Sequence, residues 1–295
     1  MAGCTALFVD IDRKTFCLAP EDLSTKRSRI DAVVTVHMFG NLCDMPRLRE
    51  LAEGKPIIED CAQSLASKIK GRIAGSFGNV AFFSFRSGKY ISAGEGGVLY
   101  SSDVELCSRI SRLVSEMHVQ RRREECRHVV NVHIKSLFRR EPLYGLAGYR
   151  LWQLLERKRN RSENSEIALG QIHMTDLARI RKRLALLSVS IDKQRANADF
   201  FARTLEIEPD MLCSEKPEMF YNRYHFPIIF RSTEQRDFIA AYLLRRRVDT
   251  MKYLNGIVDI AVKHYAYDGG CPVADRLSER TLIIPSYYAL RKRDV

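Results

Sequence analysis

The sequence of 295 residues lacks long apolar runs, paired cysteines and internal repeats. No uninterrupted apolar stretch approaches the roughly 18 residues that a membrane-spanning helix needs. The eight cysteines are scattered singly without a CxxC pair, which indicates reduced thiols rather than a disulfide framework or a zinc site. The chain reaches acidic residues too early for a secretory leader. We therefore expect a cytoplasmic chain with no metal centre.

Hydrophobic residues make up 45% of the sequence and charged residues 28%, as is typical of a soluble globular protein. The net charge of +12 is concentrated in one segment. Residues 118–161 contain twelve Lys or Arg against four Glu, a net charge of +8. Around Pro142 and Gly145, Leu, Phe, Tyr and Trp alternate with arginine, and we expect two short amphipathic helices there.

Three interpretations of residues 118–161 remain open. The segment is a solvated helical excursion, a contact for a membrane surface or an anionic lipid-linked partner, or a nucleic-acid-binding element. The alternation of apolar and basic residues favours the second over the third, because no nucleic-acid-binding module is recognisable in the sequence.

The first part of the sequence has the pattern of a parallel sheet. A helix from Asp44 through Glu53 lies between two apolar runs, which is the strand–helix–strand signature. The run at 79–85 is almost wholly apolar and is expected to be a strand buried on both faces. The predicted strands are 5–9, 32–38, 55–59, 79–85 and 98–100.

The second part begins with a long helix predicted from Thr175 to about Leu205, because its apolar residues recur with a period near 3.6. A separate α/β unit follows it. Its predicted elements are strands at 224–230, 248–251 and 282–285 and helices at 233–246 and 272–280.

Three polar residues fall where a parallel sheet gathers its ligands, at the carboxyl ends of strands. Asp60 ends one predicted strand, Ser84 lies near the end of the next, and Lys89 follows in a turn among glycines. A lysine in such a turn suits Schiff-base chemistry with an aldehyde. Pyridoxal phosphate enzymes also need a carboxylate for the pyridinium nitrogen and donors for the phosphate. Asp60 and Ser84 suit these two roles.

The motifs EDCAQS, SFGNVAFFSFRSGK and GEGG, in this order and spacing, resemble the core of the DegT/DnrJ/EryC1/StrS family of pyridoxal-phosphate-dependent sugar aminotransferases. FVDIDRKTFCL, VHMFGNLCDM, RANADFF and CPVADRLSERTLIIPSYYALRKRDV also resemble family stretches. The resemblance covers roughly 1–115 and 165–295. It implies an α/β, aspartate-aminotransferase-like fold, type I among pyridoxal phosphate enzymes. The large-domain sheet is expected to be incomplete at the N-terminus and followed by a smaller C-terminal α/β domain.

The resemblance also implies a domain division and a role for each site residue. Residues 1–117 would form a partial cofactor-binding domain, 118–164 a basic amphipathic insertion, and 165–295 a linking helix with the C-terminal small domain. Lys89 would form the Schiff base and move the proton, and Asp60 would pair with the pyridine nitrogen. Gln63 would pack against the ring or its 3-hydroxyl side, and Ser84 would bind the phosphate.

The activity implied by the resemblance is transamination of a nucleotide-linked keto-sugar in amino-sugar or polysaccharide biosynthesis. Glutamate would donate the amine, and the family's active sites lie at a dimer interface, so a homodimer is expected. Sugar dehydratases of the same fold carry histidine in place of the lysine, so Lys89 argues against that reaction.

Two departures from the family pattern keep an alternative open. The family's N-terminal Ser-Gly-Thr phosphate loop has no counterpart in this sequence, so we expect an N-terminally truncated member. The family's NYRM element is replaced by residues 171–174, Gln-Ile-His-Met. The alternative is a non-catalytic remnant or a partner subunit. His37 and His173 are predicted to be structural.

Overall fold

The computed structural model describes residues 3–138, 140, 143–148 and 170–290. Its helices are α1 (Pro20–Lys26), α2 (Met45–Ala52), α3 (Val104–Glu116), α4 (Arg122–Phe138), α5 (Met174–Leu184), α6 (Leu187–Thr204), α7 (Thr233–Arg245), α8 (Ile257–Tyr265) and α9 (Pro272–Arg280). Its strands are β1 (Val33–Val36), β2 (Ile57–Asp60), β3 (Lys68–Ile69), β4 (Arg72–Ile73), β5 (Val80–Ser84), β6 (Gly97–Tyr100), β7 (Met219–Phe220), β8 (Phe226–Ile229) and β9 (Thr281–Ile284).

The chain forms two compact units. The first comprises residues 1–84, 98–103 and 185–295, and the second comprises 85–97 and 104–184. The division predicted from the sequence, with boundaries at 117 and 164, stays a prediction. None of the described helices combines the length and the hydropathy that crossing a bilayer requires.

The first unit contains a four-stranded sheet in the order β1-β2-β5-β6. The pairs β1–β2 and β2–β5 are parallel, with Val36 beside Asp60 and Asp60 beside Phe82. One face of this sheet is buried by α1 and α2, whose Leu23 and Leu48 pack in the same core as Ile57. This part confirms the strand–helix–strand pattern predicted from the sequence.

The opposite face of the sheet is more open than expected. In β1, Val34 and Val36 are 53% and 37% exposed. In β5, Ala81 alone is buried and its neighbours are half-buried. The prediction that 79–85 is buried on both faces is therefore wrong, because the described helices α1 and α2 cover only the face shared by Ile57 and Ala81.

Two predicted strands are also wrong. Residues 5–9 form no strand, and their apolar side chains Leu7 and Val9 reach the core without a ladder partner for the backbone. The segment is held instead through Asp10, which accepts hydrogen bonds from the amides of Val273 and Ala274 at the start of α9. The strand predicted at 248–251 is reduced to one bridge, between Met251 and Ile283.

The long helix predicted from Thr175 to about Leu205 is two helices, α5 and α6, separated at residues 185–186. They belong to different units. Neither glycine nor proline marks the break, so the sequence carries no local signal for it. Helix α8, which follows Gly256, was not anticipated from the sequence.

The C-terminal part of the first unit pairs β8 with β9 antiparallel. Helix α7 begins as predicted, with the Ser232 hydroxyl accepting a hydrogen bond from the Gln235 amide. Phe226, Ile228 and Leu282 form the core of this part with Phe201 of α6.

In the second unit, the start of the basic segment is one helix of 17 residues, α4, followed by a π-helical turn at Tyr144–Gly148. Helix α4 ends at Phe138, before the break predicted around Pro142, but it begins at Arg122 and is longer than the short first helix that was expected. The second expected helix lies largely outside the described residues, so the expectation of two helices stays a prediction. Helix α4 exposes Val130, Ile134 and Leu137. Pro142 and most of the remaining basic segment lie outside the described residues.

Candidate cofactor site at the carboxyl edge of the sheet

Strand β2 carries two adjacent carboxylates that point to opposite faces. Its burial alternates, with Ile57 and Glu59 buried and Ile58 and Asp60 half-buried. Successive strand side chains alternate between faces, so Glu59 enters the core and Asp60 does not. The two carboxylates therefore have separate roles.

Glu59 is fully buried and is held by four donors. Its Oε1 accepts from the amides of Phe77 (2.6 Å) and Gly78 (2.5 Å). Its Oε2 accepts from the Gly75 amide (2.8 Å) and lies 3.0 Å from Nε2 of His37. Burial raises the pKa of Glu59, but the hydrogen bonds from His37 and the glycine amides outweigh burial and hold the pKa below its ordinary value. Glu59 is therefore an ionised anchor for the loop that precedes β5.

The hydrogen bonds of His37 favour one tautomer of its ring. Its Nδ1 accepts a hydrogen bond from the Cys43 amide (3.2 Å), so the ring proton is on Nε2 and is donated to Glu59. Both ring nitrogens of His37 are thus used within the core. This geometry suits the structural role that the sequence predicts for His37.

Asp60 lies at the carboxyl end of β2, on the open face of the sheet. Its register partner is Phe82 of β5, and Ser84 lies two residues further along β5 on the same face. The structure therefore brings Asp60 and Ser84 to one face of one sheet edge. Asp60 Oδ1 accepts from the Ala62 amide (2.9 Å), while Oδ2 accepts no hydrogen bond from any described residue.

Gln63 is buried beside this edge. Its Oε1 accepts from the Phe39 amide (2.8 Å), and its Nε2 donates to the Tyr253 hydroxyl (3.3 Å). Phe39 is fully buried with φ +60°, a conformation that non-glycine residues adopt rarely and that concentrates near functional sites. The side-chain amide of Gln63 thus fixes the strained turn that follows β1.

A second set of polar residues supports the same turn and has no obvious motif in the sequence. Asn222 donates from Nδ2 to the carbonyls of Gln63 (2.9 Å) and Leu65 (3.0 Å). The Ser67 hydroxyl donates to the Gly40 carbonyl (2.9 Å). Gly40 has φ +90°, and a Cβ there would collide with Asn222 Oδ1. Asn222 is far from this turn in sequence, so the contact could not be read from local spacing.

Lys89 lies in the turn that opens the second unit. The Lys89 amide donates to the Arg86 carbonyl (3.1 Å), and Gly88 between them has φ +95°. These features define a turn whose third residue needs a positive φ, which explains the glycine immediately before the lysine. The surrounding loop closes through hydrogen bonds from the Phe85 amide to Gly96 and from Ser87 to Gly94. The Lys89 side chain is half-buried.

Residues 171–174, which the resemblance places at the family's NYRM element, are bound within the second unit. Gln171 donates from Nε2 to the Val114 carbonyl (3.2 Å). Asp176, two residues further along on α5, is fully buried. It accepts hydrogen bonds from the Glu95 amide (3.1 Å), Arg179 (3.1 Å) and His128 (2.7 Å). Asp176 therefore ties the glycine-rich GEGG stretch to α5.

Two groups of side chains in the described residues have ligand atoms close enough for a metal ion, namely His37–Glu59–Cys61 and Glu95–His128–His173. In the first group both His37 nitrogens are occupied, and burial raises the pKa of the Cys61 thiol and keeps it protonated. In the second group the two imidazoles stack in parallel, 3.8 Å apart with 6° between their planes. Parallel rings direct their lone pairs along separate planes, so both cannot point at one ion. Each group is therefore better suited to a structural role.

The residues at the sheet edge suit pyridoxal phosphate. The open Oδ2 of Asp60 is an acceptor for a protonated ring nitrogen, which is the partner that this cofactor requires. Ser84 adds a hydroxyl on the same face of the sheet. The fold is the type I fold of pyridoxal-phosphate-dependent transferases, with a parallel sheet whose carboxyl edge carries the candidate cofactor residues.

The sequence model of the DegT/DnrJ/EryC1/StrS aminotransferase family matches residues 1–295, and the chain belongs to this family. GDP-perosamine synthase of Escherichia coli O157:H7 is 26% identical over 299 residues, covering 99% of this chain and 71% of that enzyme. UDP-N-acetyl-3-dehydro-alpha-D-glucosamine 3-aminotransferase of Acidithiobacillus ferrooxidans is 26% identical over 303 residues, covering 99% and 69%. The aminotransferase TlmJ of Streptoalloteichus hindustanus superposes with a TM-score of 0.74 at 23% identity, covering 99% of this chain and 70% of TlmJ.

Family membership confirms several predictions made from the sequence. The chain is a pyridoxal-phosphate-dependent aminotransferase of the sugar-aminotransferase kind, and its cofactor is pyridoxal phosphate.

Proposed function

We propose that the protein transfers an amino group from glutamate to a keto-sugar linked to a nucleotide, for amino-sugar or polysaccharide biosynthesis. The observation that carries the proposal is the open carboxylate oxygen of Asp60, on the same sheet face and edge as Ser84. Support for the substrate class comes from the two curated relatives, whose names specify GDP-linked and UDP-linked sugars.

Four residues would hold and serve the cofactor. Asp60 would keep the pyridine nitrogen protonated, and the Ser84 hydroxyl would donate to the phosphate. Gln63 would position the turn at Phe39 against the ring, through the hydrogen bond that it already makes there. Lys89 would bind the cofactor aldehyde in the resting enzyme.

When bound, pyridoxal phosphate withdraws electrons from the carbon that carries the transferred amine. The protein's own contribution is positioning and proton transfer. The Lys89 amine, once released, would take the proton from Cα of the amino donor and return one to the sugar carbon that receives nitrogen. Ionised Asp60 would stabilise positive charge on the ring nitrogen throughout. We expect a homodimer, as in the family.

The test combines cofactor binding with turnover. The purified chain is mixed with pyridoxal phosphate, and the visible absorbance of lysine-bound cofactor is recorded for the parent and for Lys89→Ala. Lys193→Ala on α6, an exposed lysine in the first unit, is the matched control. We expect the absorbance in the parent and in Lys193→Ala, and its loss in Lys89→Ala.

Turnover is then measured with UDP- and GDP-linked keto-sugars and glutamate, with glutamine as a second donor. Amino-sugar formation that depends on Lys89 supports the proposal. A parent chain that binds no cofactor overturns it and favours the alternative, a non-catalytic remnant or a partner subunit. Turnover with glutamine and not glutamate would overturn the choice of donor alone.

A further inference from the structure

A cavity of about 320 Å³ opens in the first unit and is lined by four arginines. Arg13 lies three residues after Asp10, whose carboxylate binds the first turn of α9. Arg231 follows β8, and Arg276 and Arg280 lie on α9. Neither Asp60, Gln63 nor Ser84 lines it. A volume of this size lies at the lower end of the range for small-molecule sites in proteins.

Acidic partners account for only two of the four arginines. Arg13 donates to the Asp210 carbonyl (3.1 Å) and lies 3.7 Å from its carboxylate. Arg231 contacts both carboxylate oxygens of Glu208 (2.6 and 2.8 Å). These pairs hold two guanidinium groups in place at the cavity while leaving part of each exposed.

Arg276 and Arg280 are different. Within the described part of the chain, neither guanidinium donates a hydrogen bond or forms an ion pair within 4 Å. Glu234 is the acidic side chain whose carboxylate is influenced by the charge of Arg280. Arg276 and Arg280 are four residues apart on one face of α9, where two like charges destabilise a helix. An anion between them would remove that repulsion.

Three of the residues that line the cavity are apolar and buried. Leu277 and Ile229 are 2% and 4% exposed, and Phe230 is 6% exposed. Guanidinium groups donate in a planar fork that matches the oxygens of a phosphoryl group. Four guanidinium groups at one cavity favour a compact, multiply charged phosphoryl ligand, and the carboxylate of Asp210, which also lines the cavity, faces Arg13.

We propose that this cavity is a binding site, separate from the cofactor residues, for a small ligand that carries a diphosphate group. Arg276 and Arg280 would bind the diphosphate directly. Arg13 and Arg231, which are held by their acidic partners, would add positive charge around the cavity. The diphosphate could come from inorganic pyrophosphate or from a nucleoside diphosphate, and the experiment separates these sources.

The test is isothermal titration of the protein, saturated beforehand with pyridoxal phosphate, with inorganic pyrophosphate and separately with UDP. The variant is Arg276→Gln/Arg280→Gln. The control is Arg109→Gln/Arg112→Gln on α3, which removes the same charge from an exposed helix. We expect pyrophosphate affinity to fall by about tenfold or more in the α9 variant and to stay unchanged in the control.

Equal affinity in parent and α9 variant, or no binding to the parent, overturns the proposal. Equal losses in both double variants would also overturn it, because they would show a response to net charge alone. If the double variant folds poorly, pyrophosphate affinity is measured on two other variants. These are the exposed single variant Arg276→Gln and the variant Arg276→Lys/Arg280→Lys, which preserves the charge. Tighter binding of UDP than of pyrophosphate, lost in the α9 variant, assigns the diphosphate to a nucleotide.

Discussion

The two faces of strand β2 differ in how completely their polar groups are satisfied. On the buried face, Glu59 accepts hydrogen bonds from three amides and from His37. On the open face, the next residue, Asp60, keeps one carboxylate oxygen without a described donor. A buried carboxylate with every lone pair engaged contributes to stability, whereas an open acceptor at a strand end is available to a ligand. Of these two adjacent carboxylates, Glu59 therefore stabilises the fold, whereas Asp60 is available to bind a ligand.

The largest effect that we expect is on activity, from Asp60→Asn. Replacing the carboxylate removes the partner for a protonated pyridine nitrogen, so transamination should fall by about a thousandfold. Unfolding in urea should change by no more than about 0.5 kcal/mol, because the side chain is half-buried and its one hydrogen bond survives. Activity and denaturation measured on the same preparation check both. A fall in stability without a fall in activity would contradict this assignment, because it would show that Asp60 supports the fold and not the reaction.

The matching variant on the buried face is Glu59→Gln. One carboxylate oxygen becomes an amide NH₂ that faces two other donors, and we expect a loss of about 3 kcal/mol in the free energy of unfolding. Cofactor affinity per folded molecule should be nearly unchanged.

Wild type and Glu59→Gln together also test how the stability depends on pH. The pKa of Glu59 is lowered in the folded state, so its contribution to stability is present above the ordinary value of 4.5 and is lost as the pH falls through the folded pKa. The stability difference between wild type and Glu59→Gln should therefore shrink below pH 4.5. A difference that grows on acidification would contradict the assignment.

A smaller effect separates backbone conformation from packing beside the site. Gly40 and Gly54 have similar positive φ values, +90° and +83°. A Cβ at Gly40 meets Asn222 and Tyr224, whereas nothing lies within 4 Å at Gly54. Gly54→Ala should cost about 1 kcal/mol from backbone strain alone, and Gly40→Ala about 2–3 kcal/mol. Urea unfolding of both variants measures the difference. Equal losses in the free energy of unfolding would show that packing against Asn222 contributes nothing at Gly40.

The smallest effect tests the histidine-rich part of the second unit. Burial raises the pKa of Glu125, but hydrogen bonds from Thr175 and His173 outweigh it and lower the pKa to about 2. Glu125→Gln should cost about 1 kcal/mol at neutral pH. Because the folded pKa is depressed, this difference should persist above pH 4.5 and disappear as the pH falls towards 2. Thermal unfolding across this range checks the sign, and a difference independent of pH would contradict it.

Much of the first unit could be predicted from local pattern. The helix capped by Asp44, the parallel strands β1, β2 and β5, and the helix capped by Ser232 follow from periodicity and capping. The strand at 5–9 and the unbroken helix at 175–205 were wrong because backbone pairing and the α5–α6 break depend on distant partners. Local propensity does not encode such partners.

The sequence by itself determined the family, the cofactor and the candidate residues Asp60, Gln63, Ser84 and Lys89, because their types and spacing form one motif set. Side chains alternate along a strand, so Glu59 and Asp60 point to opposite faces of the sheet. Only the tertiary structure decided which of the two faces is buried, because that depends on α1 and α2 packing on one side. The same holds for the support of Gly40 by Asn222 and for the four arginines of the cavity, which come from separate parts of the chain.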